Sequence, residues 1–154
     1  MTSRRSKPLI GWREWVDLPE LCSWPVKAKV DTGARTSALH AFGLETIDTG
    51  DGVVAVFELH PQQRSGVGAE SVSYPVTSFR RVRSSNGRVE VRPVIVTEAR
   101  LGDVCWPIEV TLTSRDHMGF RMLLGRAAVR SRFIIDPGRS YLLSDRNHRS
   151  DPQP

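Results

Sequence analysis

From residue 10 onward, apolar side chains recur at every second position more often than at the three-to-four spacing of a helix. That alternation restricts the chain to extended strands. The candidate segments, rich in Val, Ile, Trp and Phe, are residues 10–16, 26–30, 53–60, 71–79, 88–97, 104–112 and 132–135. Turn chemistry separates them, with Ser85-Asn86-Gly87 marking one hairpin and Leu101-Gly102-Asp103 a second. Only residues 126–130, just after Gly125, suit a helix. The expected fold is all-β, a small closed or half-closed barrel with one short helix after Gly125.

A chain of 154 residues with 39% hydrophobic side chains builds one domain around one core. The folded unit is expected over residues 10–143. Residues 1–9 are polar and basic, residues 144–154 have nothing to bury, and both are expected to be flexible. The 22 Lys and Arg exceed the 17 Asp and Glu to give +5, carried almost wholly by arginine. Such a surface favours acidic partners, whether nucleic acid, phospholipid or a Glu-rich peptide, without choosing among them.

No apolar run of signal-peptide length precedes Arg13 and Glu14, and no run of about 18 apolar residues occurs anywhere. A cytoplasmic protein without a membrane span is expected. Cys22 and Cys105 lie in apolar contexts (LCSW and VCWP), which predicts two buried thiols in a reducing compartment rather than a disulfide.

The triplet Asp-Thr-Gly occurs twice, as Asp31-Thr32-Gly33 and Asp48-Thr49-Gly50. By itself it describes a turn, since Asp caps backbone amides and Gly accepts positive φ. The second copy continues as Asp51-Gly52 into the strand VVAVFELH, so Asp48 reads as a hairpin residue. The first ends a strand in which Val26, Ala28 and Val30 alternate with Lys27 and Lys29, and small or hydroxylated residues follow it. A carboxylate at the end of a buried strand, with a glycine that lets amides approach it, meets the needs of a catalytic aspartate. Far downstream stands Met122-Leu123-Leu124-Gly125-Arg126, which alone reads as a core strand ending at a glycine.

Apolar-Asp-Thr-Gly-Ala followed by Leu-Leu-Gly-Arg and a short helix resembles the retropepsin-like aspartic proteases. Over about nine tenths of its length, from IGWREWVDLP to MLLGR, the chain is similar to the bacterial group formerly labelled ATP-dependent zinc protease. The resemblance implies a retropepsin-type barrel and an aspartic endopeptidase. It makes Asp31, Thr32 and Gly33 catalytic, with Thr32 tying two active-site loops together. It places Ala34, Arg35, Leu124 and Gly125 against substrate, together with a flap tip of Ser84, Ser85, Asn86 and Gly87. Arg126 would brace the loop. Many retropepsins carry an acid two residues after the triplet glycine; this chain has Arg35 there, so Arg126 must find another acceptor.

The older label finds no support in the residues. There is no H-E-x-x-H, His40, His60, His117 and His148 lack ligand spacing, and no G-x-x-x-x-G-K-[ST] loop is present. Neither metal nor cofactor is expected.

Peptide hydrolysis of this class needs two carboxylates around one water, sharing a proton because charges about 3 Å apart cannot both ionise. The 17 positions from Asp31 to Asp48 leave no room for a second lobe, so the partner must be Asp31 of a second copy, in a homodimer. Arg80, Arg81, Arg83, Arg88, Arg92 and Arg100 around the flap would suit an acidic or Glu-rich peptide or protein substrate, or simply form a solvated face. The alternative is a non-catalytic β-barrel that binds a protein partner or nucleic acid, the latter through Trp12, Trp15, Trp24 and Trp106. Four Trp are more often packing, so nucleic acid is not the expected partner.

Overall fold

The computed structural model describes residues 6–60, 69–83, 86–114 and 119–144. Strands β1 (Leu9–Gly11), β2 (Arg13–Val16), β3 (Val26–Asp31), β4 (Ser37–His40), β5 (Phe42–Asp48) and β6 (Val53–Leu59) form the first half. β7 (Glu70–Pro75), β8 (Ser78–Arg83), β9 (Val89–Leu101), β10 (Val104–Thr113), β11 (Met122–Gly125), helix α1 (Arg126–Val129) and β12 (Ile134–Asp136) complete it. The chain is all-β, as its alternation predicts.

The strands make a seven-stranded sheet in the order β2-β3-β11-β4-β10-β9-β8, a three-stranded sheet β5-β6-β7, and the parallel pair β1-β12. None of these sheets closes on itself, so the closed barrel does not form and the half-closed one does. The seven-stranded sheet curls until Asp17, just past β2, meets Arg100 near the end of β9 in one isolated bridge (N to O 2.9 and 2.8 Å). Its other edge strand, β8, stays open.

β3 and β4 follow each other in sequence but do not pair. β11 lies between them, parallel to β3 and antiparallel to β4. The apolar residues of this central trio drive the insertion: Ala28, Leu39, Met122 and Leu124 are all fully buried, in one core with Ile95, Val110 and Leu112. Residues 32–36 therefore cannot close a hairpin and must arch over the end of β11.

Several expected boundaries move. Residues 10–16 split at Trp12, where β1 leaves to pair with β12. Residues 71–79 split after Pro75. β4 and β5 carry no alternation for a sequence reading to detect. All four residues of β4 are buried, and β5 is mostly exposed and bulged between Phe42 and Glu45, with Gly43 at φ +63. Both hairpins hold: Gly87 (φ +85) lies between β8 and β9, and Gly102 (φ +59) between β9 and β10.

One buried charge joins the chain ends. Glu14, fully buried, accepts hydrogen bonds from the amides of Gly11 and Leu142 (2.7 Å each), Leu143 and Ser144 (2.8 Å), and from the Ser144 hydroxyl. A carboxylate satisfied on this scale clamps the C-terminal segment against β2.

Candidate active site

Asp31 is the last residue of β3 and lies in register with Gly125, the last residue of β11. The Asp31 carboxylate is half-buried, and its Oδ1 accepts the Gly33 amide at 3.0 Å. The Ala34 amide donates to the Asp31 carbonyl at 3.2 Å, so the chain turns sharply as it leaves the strand. Among the described residues nothing hydrogen-bonds Oδ2.

The start of α1 holds the arch of residues 32–36 from outside. The Arg126 amide donates to the Ala34 carbonyl (2.7 Å) and the Ala127 amide to the Arg35 carbonyl (2.9 Å). Arg126 Nη1 donates to the Thr32 carbonyl at 2.9 Å. That is the acceptor Arg126 takes where Arg35 replaces an acid: a backbone carbonyl rather than a carboxylate.

Gly125 is required by contact. A β-carbon on it would lie 2.6 Å from the Thr36 carbonyl carbon and 2.8 Å from the Ser37 nitrogen. The glycine amide instead reaches the Ser37 hydroxyl at 3.0 Å, while Thr111 Oγ1 donates to the Ser37 carbonyl at 3.2 Å. In the sequence Ser37 was visible only as one of the small or hydroxylated residues after the first triplet; its bond to Gly125, 88 positions away, follows from the insertion of β11.

Two of the four residues expected at a flap tip are described, at the turn between β8 and β9. These are Asn86 and Gly87, with the Arg88 amide on Asn86 Oδ1 at 3.1 Å. Ser84 and Ser85 lie outside the described residues. From β8, Arg80 donates to Thr36 Oγ1 (3.0 Å) and to Glu109 Oε1 (3.1 Å), which ties the hairpin to the arch after Asp31. Arg80 was legible only as part of an arginine face around the flap and Glu109 not at all, because their contacts with the arch and with each other arise through the curl of the sheet.

A family model described as the retropepsin-like aspartic endopeptidase RimB matches residues 9–146. The chain belongs to the RimB-like family. It is 41% identical over 142 residues to a probable alpha-L-glutamate ligase of Shewanella halifaxensis, covering 92% of this chain and 31% of the relative. A protein of the same name from Parasynechococcus marenigrum is 43% identical over 139 residues, covering 90% of this chain and 30% of the relative. The chain thus spans about three tenths of the curated relatives it matches. Among solved structures it is similar to Lpg0085 of Legionella pneumophila, a protein of unknown function. The TM-score is 0.72 and the identity 26%, over 89% of this chain and 98% of that one.

In this RimB-like chain the second triplet shares with the first the glycine-amide bond to its aspartate, but Gly50 takes a positive φ (+87) that Gly33 does not. The Gly50 amide donates to Asp48 Oδ1 at 3.0 Å, and the Thr49 amide to the Gly52 carbonyl at 2.9 Å, in the loop joining β5 to β6. Asp48 pairs only with Val53 of its own hairpin, and among the described residues no parallel strand end lies beside it.

The expected arginine face is broken up. Arg92 is buried against Glu90, and Arg100 pairs with Asp17 (3.3 Å) at the end of β9 far from the hairpin tip. Arg81, Arg83 and Arg88 remain exposed. Cys105 is exposed on the solvent face of β10, contrary to the two buried thiols expected, while Cys22 is buried; both are free thiols. Trp106 is core, its Nε1 donating to the Ala128 carbonyl at 3.0 Å.

His40 and His60 stack on either side of Phe42, with centroids 4.0 and 3.8 Å away. His117 and His148 lie outside the described residues. Among the described residues no three His, Cys, Asp or Glu gather as metal ligands, and no helix is long and apolar enough to cross a membrane. A cleft of about 550 Å³ lined by Trp15, Asp17, Arg100, Gly102, Asp103, Leu143 and Ser144 contains none of the arch residues.

Proposed function

We propose that the chain is an aspartic endopeptidase that acts as a homodimer, with Asp31 from each copy flanking one water. The observation carrying this reading is the pairing of Asp31 with Gly125 at the ends of two adjacent parallel strands, with the intervening arch fixed by hydrogen bonds from Gly125 and α1. One carboxylate takes a proton from the water, and its protonated counterpart donates to the substrate carbonyl oxygen. The oxygen–carbon bond forms, and the tetrahedral adduct collapses as the amine leaves with the shared proton. Asp31 Oδ1 is already oriented by the Gly33 amide, which saves the entropy of positioning it.

The proposed substrate is an acidic, Glu-rich peptide or protein. Two features support this: the basic balance of the chain, and the name probable alpha-L-glutamate ligase given to larger relatives that contain this domain. The test is peptide cleavage by the purified chain, with sedimentation for its oligomeric state. Asp31→Asn is expected to abolish cleavage, and Asp48→Asn to leave it within about twofold, as for a surface change away from the site. Cleavage by Asp31→Asn at the unaltered rate overturns the assignment.

The relatives' name offers a second reading, a ligase. The domain is under a third of their length, so that name need not describe it. ATP consumption coupled to glutamate addition by this chain alone would support the ligase and exclude the peptidase.

A further inference from the structure

We infer that Arg35 selects substrates that carry a carboxylate beside the bond to be cleaved; this rests on the peptidase reading for where substrate lies. Arg35 stands four positions after Asp31, a span of at most about 14 Å even if extended. The turn after Asp31 shortens it further.

The backbone beneath Arg35 is fixed. Its carbonyl accepts the Ala127 amide (2.9 Å), the preceding carbonyl accepts the Arg126 amide (2.7 Å), and the next side chain, Thr36, is held by Arg80 (3.0 Å). The side chain itself is exposed, and among the described residues no carboxylate pairs with it. Other arginines contrast with it: Arg80 has Glu109, Arg92 has Glu90 and Arg100 has Asp17. A guanidinium on a rigid platform with its donors uncommitted presents a planar fork that fits a carboxylate in two parallel hydrogen bonds.

The surroundings reinforce the choice of sign. The arch contains no acid between Thr32 and Thr36, Arg126 spends Nη1 on the Thr32 carbonyl, and among the described residues no carboxylate pairs with Arg126. A bound peptide displaces water from this strip and lowers the local dielectric, which strengthens an Arg35–carboxylate pair relative to its value on the free surface. In a symmetric dimer the two copies of Arg35 would flank the dyad on opposite sides, and acidic residues on both sides of the bond would each find one.

The test uses the Asp31→Asn chain, so that binding is read without cleavage, and labelled octapeptides bearing Glu, Gln or Lys on both sides of the central pair. Fluorescence anisotropy is expected to show the Glu peptide binding about tenfold tighter than the Gln peptide, the scale of a charge-assisted pair. Adding Arg35→Gln should bring that ratio close to one, adding Arg35→Lys should keep only part of it because the bidentate fork is lost while the charge remains, and adding Arg35→Glu should shift preference to the Lys peptide. An unchanged Glu-to-Gln ratio in Arg35→Gln, no discrimination in the Asp31→Asn parent, or no measurable binding of either peptide overturns the inference. If the peptides bind through Arg35 but the native chain leaves them uncut, the peptidase reading fails while the recognition by Arg35 stands.

Discussion

Gly125 lies opposite Asp31 across the parallel pair β3–β11, with Thr36 and Ser37 packed where a β-carbon on Gly125 would be. The atoms at 2.6 and 2.8 Å are all backbone and cannot rotate away. Gly125→Ala must push the arch outward, which is expected to cost about 2–3 kcal/mol as an overpacking change. Calorimetry should show Tm lowered by about 5–10 °C for a chain of this size. Peptide cleavage should be lost at temperatures where the variant is still folded, because the arch supplies the Gly33 amide that orients Asp31.

Glu14 holds the C-terminal segment by accepting from the amides of Gly11, Leu142, Leu143 and Ser144. Glu14→Gln keeps the shape but removes the charge and turns an NH2 group toward those donors. A loss of about 3 kcal/mol is expected, the upper range for hydrogen bonds to a charged group. Urea denaturation measures it, and an unchanged midpoint would refute the clamp.

The two thiols should differ sharply. Burial pushes the Cys22 thiol up to about 11, and it donates to the Trp24 carbonyl at 2.9 Å, whereas Cys105 is exposed. Iodoacetamide at pH 8 should therefore alkylate one site per native chain, Cys105, and two after unfolding, as thiolate content and access dictate. Mass spectrometry reads the count.

The Tyr74 hydroxyl donates to Glu20 Oε1 at 2.7 Å, and this bond, aided by the Glu98 amide, lowers the carboxylate below its ordinary 4.5. A folded pKa below the unfolded one stabilises the protein above about pH 4.5. That contribution is lost as pH falls through the lowered value. Tyr74→Phe should reduce stability at pH 7 and have a smaller effect at pH 3, measured as denaturation midpoints at both. An equal effect at both pH values would assign the loss to packing instead.

Much of the architecture was legible because it is local. Alternation marked β6, β9 and β10, glycine chemistry marked the turns at Gly87 and Gly102, and the helix after Gly125 ends within a residue of expectation. β4 was not legible, since a strand buried on both faces shows no period of two. β5 was hidden by the opposite condition, a polar, bulged edge with little to bury. The C-terminal partners of Glu14 and the partners of Arg80 were not legible because they lie 128 to 130 and 29 to 44 positions away, and only the tertiary structure brings them together.

The two Asp-Thr-Gly triplets separate what each level decides. The sequence by itself determined one hydrogen bond twice: in both, the glycine amide meets the aspartate Oδ1 at 3.0 Å, because that bond spans two residues and needs nothing beyond them. Only the tertiary structure made them unequal. β11 inserts beside Asp31 because burying Met122 and Leu124 between β3 and β4 removes apolar surface from water, and it brings Gly125 and α1 with it. Nothing comparable reaches Asp48, whose strand ends at an exposed hairpin.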